Sequence, residues 1–309
     1  MILCCGEALI DMIPGETAAG QAAYVPHGGG ASFNTALALG RLGVSAGLFT
    51  GLSSDVFGQQ LAQALAEAGV DTSLAVTSPR PCTLAFVHLT DGDASYSFYD
   101  TGSAGSSLTP QELPDLPDSV AALLLGGISL CNPPAADAYL ALAQREAGRR
   151  PVMLDPNVRA GFAGDEAAYR ARLLKVMTLA DIVKVSEEDL IWLSPCGDTG
   201  TRLRSLFAAG PKMVLLTRGA AGAEAYLPDG QSVKAEAVPV TVADTVGAGD
   251  TFNAGFLAMA QERGVLKAAA AGEITGPDLK ACLQFAVRAA AVSVSRAGAN
   301  PPWRAEIPE

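Results

Sequence analysis

The sequence predicts an α/β fold with a mainly parallel central sheet, helices on both faces and a small β-flap outside the sheet. Short apolar runs alternate with helical stretches along most of the chain, the pattern of a parallel sheet covered on both sides. Runs such as Val120–Ile128 have the length of buried strands. Residues 83–99 break the rhythm with a hairpin-like pattern.

In order, Ile2 to Ile10 reads as a strand, and Ala36 to Leu42 as a helix ending near Gly43. Ser45–Thr50 reads as a strand and Phe57–Ala68 as a helix stopped by Gly69. Thr83–Leu89 and Ser95–Tyr99 flank Asp91-Gly92-Asp93, a turn sequence that places this piece outside the main sheet. Further strands are expected near Ala121–Leu125, Val152–Asp155, Ile182–Val185 and Met213–Thr217. Thr251–Arg263 places Phe252, Phe256, Met259 and Ala260 on one helical face. A helix from Asp278 does the same with Leu279, Leu283, Ala286, Val287, Ala290 and Val294. Pro110, Pro114 and Pro117 mark a loop too short for a domain boundary, so residues 1–309 read as a single domain.

Of the 309 residues, 49% are hydrophobic and 17% charged, ample for a sizeable core and the opposite of a disordered composition. The net charge, 21 − 32 = −11, argues against nucleic acid as a partner. The six cysteines form no CxxC pair and read as reduced thiols, which suits a cytoplasmic protein. No signal peptide is expected at Met1–Gly6, and no apolar run reaches the ~18–20 residues of a membrane span.

The chemistry concentrates in Asp244-Thr245-Val246-Gly247-Ala248-Gly249-Asp250-Thr251. Small residues before an amphipathic helix let the backbone approach a ligand, and the first helical N–H groups have no partner inside the helix. Together they form an anion site, reinforced by the helix dipole. The dipole favours the ionised form of Asp250 at the same helix end, which a general base requires at neutral pH. A glycine-rich turn with a capping aspartate is the plainer account of the same residues. The stretch is neither a Walker A loop nor a dinucleotide fingerprint.

Asp244–Phe256 closely resembles the C-terminal signature of the ribokinase/PfkB family of carbohydrate kinases, and the resemblance extends over nearly the whole chain. Gly6-Glu7-x-x-x-Asp11 looks like the family's first strand, Gly29-Gly30-Ala31-Ser32-Phe33-Asn34 like its sugar motif, and Gly51-x-x-x-Asp55-x-x-Gly58 like its next block. The resemblance implies a ribokinase-like three-layer sandwich with a β-lid formed by about residues 12–30 and 83–105. It makes Asp250 the catalytic base and assigns the anion hole to Gly247, Ala248 and Gly249. Sugar binding falls to Asp11, Gly29, Gly30 and Asn34. Thr217-Arg218-Gly219-Ala220-Ala221-Gly222 resembles the loop near ATP, so Thr217, Gly219, Gly222 and Gly249 are nucleotide-side residues. Lys184 and Ser186 join them, beside a block that has Ser186 and Asp189 where the family has asparagine and glutamate.

The same resemblance implies ATP and Mg²⁺, with Asp189 acting on the metal through water, and K⁺ near Asp244. The partners it implies are a small sugar and ATP, with no membrane, and it admits a homodimer. Asp155-Pro156-Asn157-Val158-Arg159 and Ser295–Pro302 resemble fructokinases in particular, which makes Arg159 a substrate-side candidate. An ordinary surface salt bridge is the other reading of Arg159. The flap carries Tyr96, Phe98 and Tyr99 but has Asp100 where such kinases often have arginine. Kinases of 2-keto-3-deoxygluconate, ribose or nucleosides stay open as alternatives, as does a non-catalytic sugar- or nucleotide-binding regulator. His27 and His88 support neither a metal site nor a hydrolase triad. Trp192 and Trp303 read as packing or surface residues.

Overall fold

The computed structural model describes residues 1–90 and 93–308. Strand β1 (Ile2–Cys5) is followed by β2 (Leu9–Glu16), β3 (Ala22–Gly29), helix α1 (Ala31–Arg41), β4 (Ala46–Phe49), β5 (Gly51–Ser53) and α2 (Val56–Glu67). Then come β6 (Val76–Ser78), β7 (Thr83–Thr90), β8 (Asp93–Tyr99), β9 (Ala122–Gly126), α3 (Ala135–Glu146), β10 (Val152–Asp155) and α4 (Glu166–Leu179). The C-terminal part holds β11 (Ile182–Ser186), α5 (Glu187–Leu193), α6 (Thr199–Ala209), β12 (Met213–Thr217), β13 (Ala223–Tyr226) and β14 (Ser232–Ala235). Helices α7 (Ala248–Glu262), α8 (Leu266–Ala271) and α9 (Gly276–Val294) complete it.

The eight-stranded central sheet has the order β14-β13-β12-β11-β10-β9-β1-β4. The six strands from β12 to β4 are parallel, and β13 and β14 extend the sheet antiparallel at one edge. Side chains alternate between the two faces, so Ile2 and Cys4 join one core while Leu3 and Cys5 join the other. The first core holds residues of α1, α2, α7, α8 and α9; the second holds residues of α3, α4, α5 and α6. This is the expected three-layer sandwich.

The region read as one strand, Ile2 to Ile10, is two. Gly6 adopts φ +155 between them, and a Cβ there would lie 2.3 Å from Ser32 Oγ. The chain leaves the central sheet at this bend. β2 then builds a separate four-stranded sheet of order β3-β2-β7-β8, which lies outside the main sheet. Asp91 and Gly92, the centre of the expected turn, lie outside the described residues. Helix α1 begins at Ala31, five residues before its expected start, and its early residues Ser32, Asn34 and Thr35 are buried despite their polarity. Among the described residues no helix is long and apolar enough to cross a membrane, and all six cysteines are free thiols.

Candidate active site

The strands β1, β9, β10, β11 and β12 all end toward one cavity of about 620 Å³, the edge where open α/β sheets gather ligands. β2 and β8 of the flap sheet close it from the side through Asp11, Tyr96 and Phe98, and the α7 N-terminus closes it from the other.

Asp250 stands in the first turn of α7, behind Gly247 in a left-handed conformation (φ 75). The amides of Gly247, Gly249 and Asp250 have no backbone acceptor among the described residues, so two of the three amides assigned to the anion hole, Gly247 and Gly249, are unpaired. The Ala248 amide instead donates to Thr245 O at 3.3 Å, and Ala248 does not line the cavity. Asn34 Nδ2 reaches across from α1 and donates to Asp250 Oδ2 at 2.9 Å. Its own Oδ1 is buried with no partner among the described residues, an acceptor for a hydroxyl of a bound ligand. Burial pushes Asp250 up to about 7; the Asn34 hydrogen bond and Lys184 oppose this, and Asp155 adds to it.

Asp11 lines the cavity from β2, and burial raises it to about 6. Gly29 is not on the cavity wall. A Cβ there would lie 2.1 Å from Asp11 Oδ2, so its place is to leave room for that carboxylate across the β2–β3 ladder. Gly30 does line the cavity. Arg159 also faces it, donating to Asn157 O and Val158 O; among the described residues it makes no salt bridge.

On the other side, Lys184, Ser186 and Thr217 line the cavity from the ends of β11 and β12. Gly219 and Gly222 lie beyond its wall, in a tight turn closed by Arg218 N to Gly222 O at 2.8 Å. Lys184 Nζ is 2.9 Å from Asp155 Oδ2 in a buried ion pair. Asn253 Nδ2 holds the same oxygen at 2.7 Å. A Cβ on Gly249 would lie 2.9 Å from Lys184 Nζ, so the ammonium sits directly under the glycine loop. Burial lowers the Lys184 pKa, but Asp155 and then Asp189 outweigh it and the net shift is upward.

Ser186 caps α5, and Asp189 completes a capping box. Asp189 Oδ2 accepts from Ser186 N and Oγ, and Oδ1 accepts from Val158 N at 2.8 Å. Asp244 is likewise engaged, by Val246 N and Gly298 N, and joins the 244–247 loop to the C-terminal segment.

Sequence reasoning missed Glu7, Asp155, Asn253 and the apolar wall. Trp192, read as packing or surface, packs against Tyr169 and also lines the cavity, as does Ile128. Asp155 stood in the block that drew attention to Arg159. Asn253 stood three residues after Asp250, one helical turn along the same helix. Asp100, in place of the expected arginine, accepts from Thr83 Oγ1 at 2.6 Å and braces the base of the flap.

A buried carboxylate beside an open helix N-terminus, facing a polar pocket, has the parts needed to transfer a phosphoryl group to an alcohol. Residues 1–306 match the family described as pfkB family carbohydrate kinase. The chain is 48% identical over 258 residues to a fructokinase of Rhizobium leguminosarum bv. trifolii, covering 84% of this chain and 79% of the relative. It superposes on the ATP-bound fructokinase of Xylella fastidiosa with a TM-score of 0.86 at 28% identity, covering 96% and 93% of the two chains. For a fructokinase double mutant of Vibrio cholerae O395, in a form with fructose, ADP and potassium ion bound, the TM-score is 0.84 at 25% identity, over 96% and 93%. The chain belongs to the pfkB family of carbohydrate kinases.

Proposed function

We propose that the chain is an ATP-dependent fructokinase, transferring the terminal phosphoryl group of ATP to fructose to give fructose 6-phosphate. The observation that carries this is the convergence of Asp250, Asn34, Asp11 and the open Gly249 amide on one cavity. Asp250 takes the proton of the attacking sugar hydroxyl while Asn34 holds the carboxylate in line. The Gly249 and Asp250 amides and Lys184 face the charge that develops on the transferring group. Asp11, Arg159 and Asn34 Oδ1 meet the other sugar hydroxyls, and Tyr96 and Phe98 close the flap over them, excluding water. The likeness to fructokinases in sequence and structure supports fructose as the acceptor. Comparing kcat/KM for fructose, ribose, adenosine and 2-keto-3-deoxygluconate tests it. Fructose is expected to lead, and a higher value for any of the other three overturns the assignment.

A divalent ion offsets the charge on the ATP phosphates during transfer. Among the described residues no three carboxylate, histidine or cysteine groups gather as a metal centre, and both Asp189 oxygens already accept hydrogen bonds. Mg²⁺ would therefore be held chiefly by phosphate and water, with Asp189 and Glu188 nearby on the cavity wall. Asp244 is held by two amides, so K⁺ would rest on backbone carbonyls of the two loops it joins. Chelation with EDTA is expected to abolish turnover and added Mg²⁺ to restore it, while K⁺ raises the rate above that in Na⁺. Equal rates in K⁺-only and Na⁺-only buffer would reject the monovalent site. A cytoplasmic location and a homodimer belong to the same proposal.

A further inference from the structure

We infer that Glu7 is the positioning residue of the sugar site: its carboxylate pins both roots of the flap's β2–β3 hairpin to the core and thereby sets Asn34 and Asp11 against Asp250. The inference rests on the sugar-kinase reading above. Glu7 sits on the crossing from β1, in the core, to β2, in the flap, and is only 8% exposed. Its Oε1 accepts from the Ala31 amide at 3.0 Å, at the first residue of α1, where the flap strand β3 has just returned to the core. Its carbonyl accepts from Phe33 N at 3.2 Å. Its Oε2 accepts from Ser129 N at 3.2 Å, with Ser129 Oγ 2.8 Å away, in the turn that follows β9. One side chain thus ties together the outgoing flap strand, the returning one and the central sheet.

Two glycines are shaped around it. A Cβ on Gly30 would lie 2.8 Å from Glu7 O, and one on Gly127 would lie 2.1 Å from Glu7 Oε1. Asn34, which orients the base, is one turn from Ala31, and Asp11 is four residues from Glu7 on the strand it anchors. A negative charge at the N-terminus of α1 also suits the helix dipole. Only a carboxylate fits here, because two N–H donors approach its two oxygens. Glutamine would turn its NH₂ toward one of them.

Glu7→Gln is expected to raise KM for fructose about tenfold, the scale of a binding group displaced by a fraction of an ångström, with KM for ATP within about twofold of wild type. Amide hydrogen exchange in residues 9–29 should quicken in the same protein. Ser129→Ala removes the hydroxyl contact to Glu7, together with the 2.6 Å contact to Gly126 O, and should move KM for fructose the same way by a smaller factor; it carries the test should Glu7→Gln fail to fold. A Glu7→Gln protein that melts lower yet keeps KM for fructose within about twofold has lost only a structural bond, and the inference fails. Wild-type turnover separates the two readings. If it prefers another sugar, the same comparison is made with that sugar, and the role of Glu7 stands or falls on it.

Discussion

Asp250→Asn lowers kcat by about 10²–10⁴-fold, the usual worth of a positioned general base. Asparagine keeps the shape, and its carbonyl can still accept from Asn34 Nδ2, so the 2.9 Å contact survives. It cannot take the proton of the attacking hydroxyl. KM for ATP should change far less, because the Gly247 and Gly249 backbone is untouched. Steady-state rates at saturating sugar and MgATP decide it. A folded variant that keeps more than roughly a tenth of wild-type kcat would remove Asp250 from the role of base.

The pH dependence gives the same prediction a second readout. Burial holds Asp250 up to about 7, and a base works only when ionised. Wild-type kcat/KM should therefore rise through that range and level above it, while the residual rate of Asp250→Asn shows no such step. The sign for stability is opposite. A carboxyl raised on folding stabilises the folded state below its unfolded value near 3.8, and that contribution is lost as pH rises through about 7. Asp250→Asn should then melt above wild type at about pH 8, with a smaller gap at about pH 5.5.

The parts of the molecule that were legible in the sequence are those written in local spacing. Gly247, Gly249 and Asp250 fall within one turn of a helix start, so their juxtaposition follows from the chain itself. The strands buried on both faces announced themselves as apolar runs. The misses have long-range causes. Glu7 meets Ser129 across 122 positions and Asn253 meets Asp155 across 98, and no periodicity encodes either pair. The early start of α1 was hidden because Ser32, Asn34 and Thr35 interrupt the apolar pattern there, and of these only Asn34 lines the cavity. Leu9 and Ile10 looked continuous with β1 because hydrophobicity does not show the bend at Gly6. Ala248 stands inside the signature but turns its amide to Thr245, a detail only the backbone geometry reveals.

Lys184→Met should unfold the protein more readily than a substitution at a cavity-lining residue that makes no buried ion pair. The side chains of Lys184 and Asp155 are 6% and 4% exposed, so removing the ammonium strands a carboxylate charge in the interior. Breaking such a pair costs about 3–5 kcal/mol. In a chain of 309 residues that is a fall in Tm of roughly 5–8 °C. Asp155→Asn in the same protein removes the stranded charge and keeps an acceptor for Asn253 Nδ2, so the double variant should recover most of the loss. Turnover should not recover with it. The ammonium lies beside Gly249, where the proposed mechanism has the transferring phosphoryl group gather charge, and neither variant supplies a cation there. Thermal melts and kcat of wild type, Lys184→Met and the double variant therefore separate the two roles. Equal melting of the single and double variants would show that Asp155 carries no stranded charge. Restored turnover in the double variant would show that Lys184 serves only to neutralise Asp155.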